Sequence, residues 1–142
     1  MRAKSLLGAG ALMLGLSSNA WGIYLTGYTD WQSLSVVEKS TYVAGTVDYL
    51  TGLAAPNEPF RWAFSGAMMR CLVDGKTKTT DLANDVDRLY GDYVELRKTA
   101  PATVVYLGLV RRCEETLNQY MTAAGQQSLS FSAILHNLSA PP

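Results

Sequence analysis

The chain has 142 residues, of which 48% are hydrophobic and 17% are charged, and its 12 Lys and Arg residues balance 12 Asp and Glu residues. This length is typical of a single domain with a hydrophobic core of its own. Because the charge is balanced, the chain lacks the basic surface that nucleic acid or an anionic membrane would attract, and we expect neither as a partner.

Residues 1–20 have the arrangement of a secretory signal peptide. Arg2 and Lys4 precede an apolar run over residues 6–16, and small residues follow at Ser18 and Ala20, where a signal peptidase cuts. The run is shorter than the roughly 20 residues that a membrane-spanning helix needs, and no later segment is long and apolar enough. A buried N-terminal helix is the alternative interpretation. We expect a cleavable signal peptide and a periplasmic domain over residues 21–142, although residues 20–22 offer a second cleavage site.

Cys71 and Cys113 are the only cysteines, and both lie in the predicted mature domain. They are too far apart for a redox C-x-x-C motif or a zinc-binding pair. Because disulfides form and persist in exported proteins, we predict a structural Cys71–Cys113 bond. Closing a loop of this size stabilises a fold by about 4 kcal/mol in the chain-entropy model.

Residues 21–33 carry four aromatic residues in a segment that we expect to be irregular, with its rings packed back on the domain: Trp21, Tyr24, Tyr28 and Trp31. The first predicted helix covers residues 36–53, after a capping box of Ser35 and Glu38. Apolar residues at helical spacing predict its buried stripe, Val36, Val43, Val47 and Leu50. Gly45, inside this helix, would let another backbone come close.

The second predicted helix begins after Asn57, with Pro59 in its first turn, and stops at Asp74 and Gly75. Its apolar stripe is Phe60, Phe64, Ala67, Met68 and Cys71. A polar loop over residues 76–80 precedes the third helix, which Thr80 or Asp81 caps and whose stripe is Leu82, Val86, Leu89, Tyr93 and Leu96. We interpret three acidic residues as carboxylates favoured by the helix dipole, since they lack the spacing of a calcium loop: Asp81, Asp85 and Asp87.

The fourth predicted helix begins at Pro101 and ends at Gly125. Its inner face carries Tyr106, Leu109, Cys113, Leu117 and Tyr120, whereas the charges at residues 111–112 and 114–115 are interpreted as solvated. A last short helix carries Phe131, Ile134, Leu135 and Leu138, before a tail over residues 140–142. The sequence thus predicts an all-α fold, a small single-domain bundle of four main helices stapled by one disulfide.

No catalytic motif is recognisable in the sequence. His136 is the only histidine and lies on the polar side of the last stripe. There is no Gly-x-Ser-x-Gly elbow, no Gly-rich phosphate loop and no set of zinc ligands. We therefore expect no catalytic residue, no metal ion and no cofactor, and we predict a binding protein rather than an enzyme.

Several short motifs follow one another in a particular order. The first helix carries the run Tyr42-Val43-Ala44-Gly45-Thr46-Val47-Asp48 and is followed by Cys71. A short loop then precedes Thr80, Leu82 and an amphipathic helix, and Pro101 opens the long helix that contains Cys113. Over about residues 36–120 this order resembles the Rap/Tai family of periplasmic immunity proteins. Those small exported helical proteins protect bacteria against peptidoglycan amidases delivered by type VI secretion.

The resemblance implies that the chain binds and inhibits such an amidase effector. A homodimer would place a loop or a helix end in the groove of the enzyme and occlude its catalytic cysteine. Tyr42 and Tyr49, which share a helix face, are compatible with a dimer interface and equally with the core. The candidate partner-binding loop is polar and adjoins Cys71, although an ordinary solvated connection is the alternative interpretation: Asp74, Gly75, Lys76, Thr77 and Lys78.

Two further hypotheses remain open at this stage. The first is a periplasmic acid-stress chaperone resembling the Hde proteins, which are also small, helical, exported and built around one disulfide. Such a protein would lose its fold or its dimer when paired carboxylates become protonated. The second is a structural module of the cell envelope, which the sequence neither supports nor opposes.

Overall fold

The computed structural model describes residues 25–52 and 58–139. In these ranges it contains six α-helices and one 3₁₀ helix, and no strand: α1 (Tyr28–Gln32), α2 (Val36–Gly52), α3 (Pro59–Asp74), α4 (Thr79–Asp92), the 3₁₀ helix (Val94–Lys98), α5 (Pro101–Ala123) and α6 (Phe131–Ser139). The all-α prediction is confirmed, and α2 to α5 are the four main helices. The predicted signal peptide, Trp21, Tyr24, the predicted cap Asn57 and the tail over residues 140–142 lie outside the described residues.

The segment before α2 is more ordered than predicted. Instead of an irregular stretch it contains the short helix α1, whose Trp31 is fully buried. The ring of Tyr28 lies 5.4 Å from that of Tyr90 in α4. The prediction that the aromatic residues pack back on the domain is therefore confirmed for Tyr28 and Trp31.

Helix α2 begins with the predicted capping box. The Ser35 N–H donates to Glu38 Oε2 over 2.8 Å, and the Glu38 N–H donates to Ser35 Oγ over 3.3 Å. Val43 is buried, but Val36 is 71% exposed, so its place in the stripe was wrong. Val36 is the first residue of α2. The expectation for Gly45 was also wrong, because no other part of the described chain comes within 4 Å of where its Cβ would be, apart from its neighbours and the backbone of its own helix.

Helices α3 and α4 differ from the prediction at three places: Phe60 of the predicted buried stripe is 42% exposed, and the first and last residues of α4 differ. α3 has Pro59 in its first turn and stops at Asp74, as predicted. α4 begins at Thr79 with Lys78 as its N-cap residue, so neither Thr80 nor Asp81 occupies that position. It ends at Asp92, and the predicted stripe continues into the 3₁₀ helix, which buries Leu96. The extended backbone of Tyr93 breaks the α-helix between them.

Helix α5 is the central element of the fold and packs against α3, α4 and α6. It begins at Pro101 as predicted, and its inner face buries Leu109, Cys113 and Leu117. After Ala123 the chain closes a Schellman motif, in which the Gln126 N–H donates to the Met121 carbonyl over 2.8 Å. The motif needs a left-handed residue, which Gly125 provides at φ 66°.

The predicted disulfide joins Cys71 of α3 to Cys113 of α5, with 5.8 Å between their Cα atoms. Helix α4 lies within the loop of chain that this disulfide closes. Such a bond is typical of proteins from oxidising compartments. Among the described residues, no helix has the length and apolar character required to cross a bilayer.

Candidate protein-docking surface

The three clustered aspartates of α4 do not form a common site. Asp81 is not the N-cap residue, but from the third helical position its carboxylate accepts a hydrogen bond from the backbone N–H of the N-cap residue, Lys78, over 2.9 Å. Asp85 and Asp87 lie beside arginine and lysine side chains of other turns and helices. In the ranges that the structure covers, no three His, Cys, Asp or Glu residues are arranged to hold a metal ion. His136 is exposed on α6.

The predicted partner-binding loop, Asp74 to Lys78, forms the turn between α3 and α4. Its backbone is fixed by hydrogen bonds to the last turn of α3. The Lys76 N–H donates to the Val73 carbonyl over 3.1 Å, and the Thr77 N–H donates to the Leu72 carbonyl over 2.9 Å. These two bonds make a second Schellman motif. The loop is thus exposed but has a defined backbone.

Lys76 has an unfavourable backbone conformation. Its φ is 48°, in the left-handed region, where a side chain costs roughly 1–2 kcal/mol relative to glycine. At the equivalent position after α5 the chain uses Gly125. Strained non-glycine residues often lie at sites where the side chain has a function. The lysine at this position makes the loop a candidate functional site.

The charges of the loop are mostly positive and solvated. Arg70 Nε lies 2.6 Å from Asp74 Oδ2, but both side chains are exposed, so this pair contributes little to stability. Neither Lys76 nor Lys78 forms an ion pair with any described residue. Both ammonium groups are available to a partner.

An apolar groove of about 470 Å³ adjoins the loop. It lies where α2, α3 and the start of α4 meet, and Lys76 and Thr77 form part of its edge. Its apolar lining comes from all three helices: Ala44, Val47, Met69, Leu72, Val73 and Leu82. The groove and the loop together are called the docking surface below.

Two residues of the docking surface, Met69 and Val73, were not predicted from the sequence. Met69 is 49% exposed and Val73 is 66% exposed, although both are apolar. With Trp62, which is also exposed, they are spaced by seven and four residues and share the outer face of α3. The inner face of the same helix buries Phe64, Ala67 and Met68. The signal was present in the sequence, since a helix that is apolar on both sides usually has a partner on each.

Comparison with known proteins gives no further assignment. No protein-family model, no curated protein and no solved structure matches this chain significantly.

Proposed function

We propose that this chain is a periplasmic immunity protein, similar to the Rap/Tai family. It binds a peptidoglycan amidase effector of type VI secretion and inhibits the enzyme by occluding its active site. On this proposal residues 1–20 are a cleavable signal peptide, and the exported domain acts as a homodimer without catalytic chemistry or a cofactor of its own.

The observation that carries this proposal is the loop from Asp74 to Lys78. It is exposed, its backbone is held by the end of α3, and Lys76 keeps a lysine side chain where glycine would be favoured. The disulfide ties Cys71, one turn before the loop, to the central helix α5. A loop that is already ordered loses little conformational freedom on entering an enzyme cleft, and this favours tight inhibition.

The groove beside the loop supports the same proposal. A protein interface combines an apolar centre with a polar or charged edge. Met69 and Val73 provide exposed apolar surface, and Lys76 provides positive charge at the edge of the groove, whose lining also includes Asp48. Lys78 is exposed in the adjoining loop. An effector with an acidic or polar active-site cleft and an apolar neighbouring surface would complement both features.

Inhibition of a purified amidase tests the proposal directly. The exported protein, with its disulfide intact, is titrated into candidate amidases while peptidoglycan cleavage is followed. We expect a stoichiometric complex, one-to-one or two-to-two, that abolishes cleavage. If the folded, oxidised protein inhibits none of the amidases delivered by the secretion system of its own host, the proposal is wrong.

The contribution of the loop is tested with a charge-reversal pair. Lys76→Glu combined with Lys78→Glu should weaken the complex at least tenfold, roughly the effect of placing like charges together at an interface. Arg97→Glu combined with Lys98→Glu makes the same change in net charge in the 3₁₀ helix and should leave affinity unchanged. Equal affinities of the two double variants would remove the loop from the inhibitory contact.

The groove is tested separately with Val73→Ser. Because Val73 is largely exposed, the change should have little effect on the free energy of unfolding. It should weaken the complex if the apolar groove is covered by the effector. Unchanged affinity of Val73→Ser together with a weakened lysine variant would restrict the contact to the loop.

A further inference from the structure

A second surface, independent of the docking surface, contains three arginines. A cleft of about 300 Å³ lies between the second half of α4 and the middle of α5. Arg88 of α4 and Arg111 and Arg112 of α5 line it, and no residue is shared with the groove beside the loop.

A glycine keeps the cleft open. Gly108 of α5 is buried in its lining, and a Cβ at this position would lie 3.6 Å from Leu89 Cδ1 and 3.7 Å from Asp85 Cβ. These are ordinary contact distances, so packing between α4 and α5 does not require a glycine here. The missing side chain leaves space in the cleft that a Cβ would fill.

The arginines are held in place with most of their hydrogen-bond donors unused. Asp85 accepts a hydrogen bond from Arg88 at one carboxylate oxygen and, at the other, from Arg112 Nε over 2.7 Å. Arg111 lies over the ring of Phe131, with 5.4 Å between Cζ and the ring centroid. Each guanidinium has five N–H donors, so donors remain on all three groups. Arg112 is therefore not the simple solvated charge that was expected from the sequence.

The charge balance of the cleft suits one negative charge. The three arginines face two aspartates, Asp85 and Asp92, which leaves an excess of one positive charge. The planar fork of a guanidinium matches the two coplanar oxygens of a carboxylate. A phosphate dianion would bring a second negative charge close to the free carboxylate of Asp92.

We propose that this cleft binds a carboxylate group, with Arg88, Arg111 and Arg112 as donors and Asp92 as the charge that disfavours dianions. The carboxylate belongs either to the end of a polypeptide or to an acidic side chain. This proposal does not rest on the proposed function, because it uses other residues and a different measurement.

The test is an NMR titration of the oxidised protein at constant ionic strength. N-acetylalanine represents a chain end, N-acetylaspartate amide represents an acidic side chain, and inorganic phosphate is the dianion. We expect saturable shifts of the Gly108 amide and the Arg88 and Arg111 guanidinium signals with at least one carboxylate. The tighter-binding carboxylate identifies the source, and phosphate should bind more weakly than either.

Three variants make the result specific. Arg111→Gln should weaken carboxylate binding about tenfold, the usual effect of losing a charged hydrogen-bond donor. Asp92→Asn should strengthen it, since a like charge is removed. Arg97→Gln is the matched control, because Arg97, like Arg111, lies over an aromatic ring, 5.0 Å from the centroid of Tyr28, but outside the cleft.

The proposal is overturned if no carboxylate gives a saturable shift, or if phosphate binds as tightly as the carboxylates. It is also overturned if Arg97→Gln weakens binding as much as Arg111→Gln, because the effect would then reflect net charge alone. Should Arg111→Gln unfold, Arg88→Gln replaces it, with the same expected weakening.

Discussion

The indole N–H of Trp31 donates a hydrogen bond to Asp87 Oδ1 over 2.7 Å, although 56 residues separate the two in the chain. Lys39 Nζ lies 2.8 Å from the same oxygen and 5.2 Å from the centroid of the Trp31 ring. One carboxylate on α4 thus holds together α1, α2 and α4. Because Trp31 is fully buried, its N–H has to find a partner inside the protein, and Asp87 is that partner.

Asp87→Ala should lower the free energy of unfolding by about 1.5–3 kcal/mol. The change removes the acceptor of the Trp31 N–H and leaves Lys39, whose side chain is only 13% exposed, without its counter-charge. Urea unfolding measures the loss. Asp92→Ala is the matched control, since Asp92 is an exposed aspartate of the same helix, and its effect should stay within about 0.5 kcal/mol. Equal losses would mean that the network does not stabilise the fold.

Lys76→Gly should raise the free energy of unfolding by about 0.5–1 kcal/mol. Glycine removes the strain of the left-handed backbone, and its greater conformational freedom in the unfolded chain offsets part of that gain. Lys76→Ala removes the same ammonium group but keeps a Cβ, and it should give no such gain. Thermal unfolding of both variants is the measurement. If both stabilise equally, charge repulsion and not backbone strain is the cause.

The same two variants show whether the side chain of Lys76 or its backbone conformation contributes to the affinity for an amidase. Both lack the ammonium group, and Lys76→Gly also has a more stable turn. If the lysine contacts an amidase, both variants should bind it more weakly despite the greater stability of one. A gain in affinity for Lys76→Gly would show that the strained turn, rather than the side chain, limits binding.

Acid should destabilise the fold through two capping carboxylates. Hydrogen bonds from the backbone and hydroxyl of Thr26 hold the pKa of Asp30 below its usual value, and the hydroxyl and backbone of Ser35 do the same for the pKa of Glu38. The stability that they contribute is present above about pH 4–5, where both carboxyls are ionised even in the unfolded chain. It is lost as the pH falls through the lower pKa values of the folded state.

Unfolding curves measured between neutral and acid pH test this expectation, with Glu38→Gln as the comparison. The variant should be less stable at neutral pH but should lose less on acidification. An acid-stress chaperone would behave differently, because it would expose apolar surface cooperatively as the pH falls. Binding of an apolar dye during mild acidification, while the helices persist, would favour that hypothesis over immunity.

Alkali should destabilise the fold through buried tyrosines. Tyr90 is fully buried and its hydroxyl donates to the Thr99 carbonyl over 2.8 Å. Burial raises its pKa well above the ordinary value, with smaller contributions from Tyr42 and Asp30. The free energy of unfolding should therefore be independent of Tyr90 ionisation below about pH 10, the pKa of tyrosine in an unfolded chain. Above that pH it should fall, because the unfolded chain releases the proton more readily than the folded protein does.

Tyr90→Phe should cost about 1 kcal/mol at neutral pH through loss of the hydrogen bond, and should flatten the alkaline loss of stability. Tyr49→Phe, at an exposed position of α2, should change neither quantity. Burial also raises the pKa of Tyr42 and Tyr106, so some alkaline dependence should remain in the variant. An unchanged alkaline slope in Tyr90→Phe would contradict the assignment.

The parts of the fold that the sequence predicted correctly depend on local signals. The capping box at Ser35, the prolines at positions 59 and 101 and the glycine at 125 act within one helical turn, so their effect can be read without knowing the tertiary structure. The disulfide was equally accessible because two cysteines allow a single pairing.

The parts that were missed depend on contacts between distant residues. Nothing near Trp31 indicates that Asp87 will accept its N–H. The burial of Leu96 was predicted, but nothing near it indicates that it lies in a 3₁₀ helix and not in α4. The loop of the docking surface was chosen as a candidate from its polarity and its place beside Cys71, and its role as a binding site stays a prediction. Its neighbour, the groove with Met69 and Val73, exists only where three helices meet.

The Cys71–Cys113 bond spans the exposed turn at residues 74–78, and this has a consequence for a protease-rich environment. A peptide bond cut in that turn would leave two fragments joined covalently, with α3 still packed on α5. Such a nicked protein would migrate as one species until reduced. Cleavage at the turn would therefore interrupt the loop, but the disulfide would keep the two fragments together.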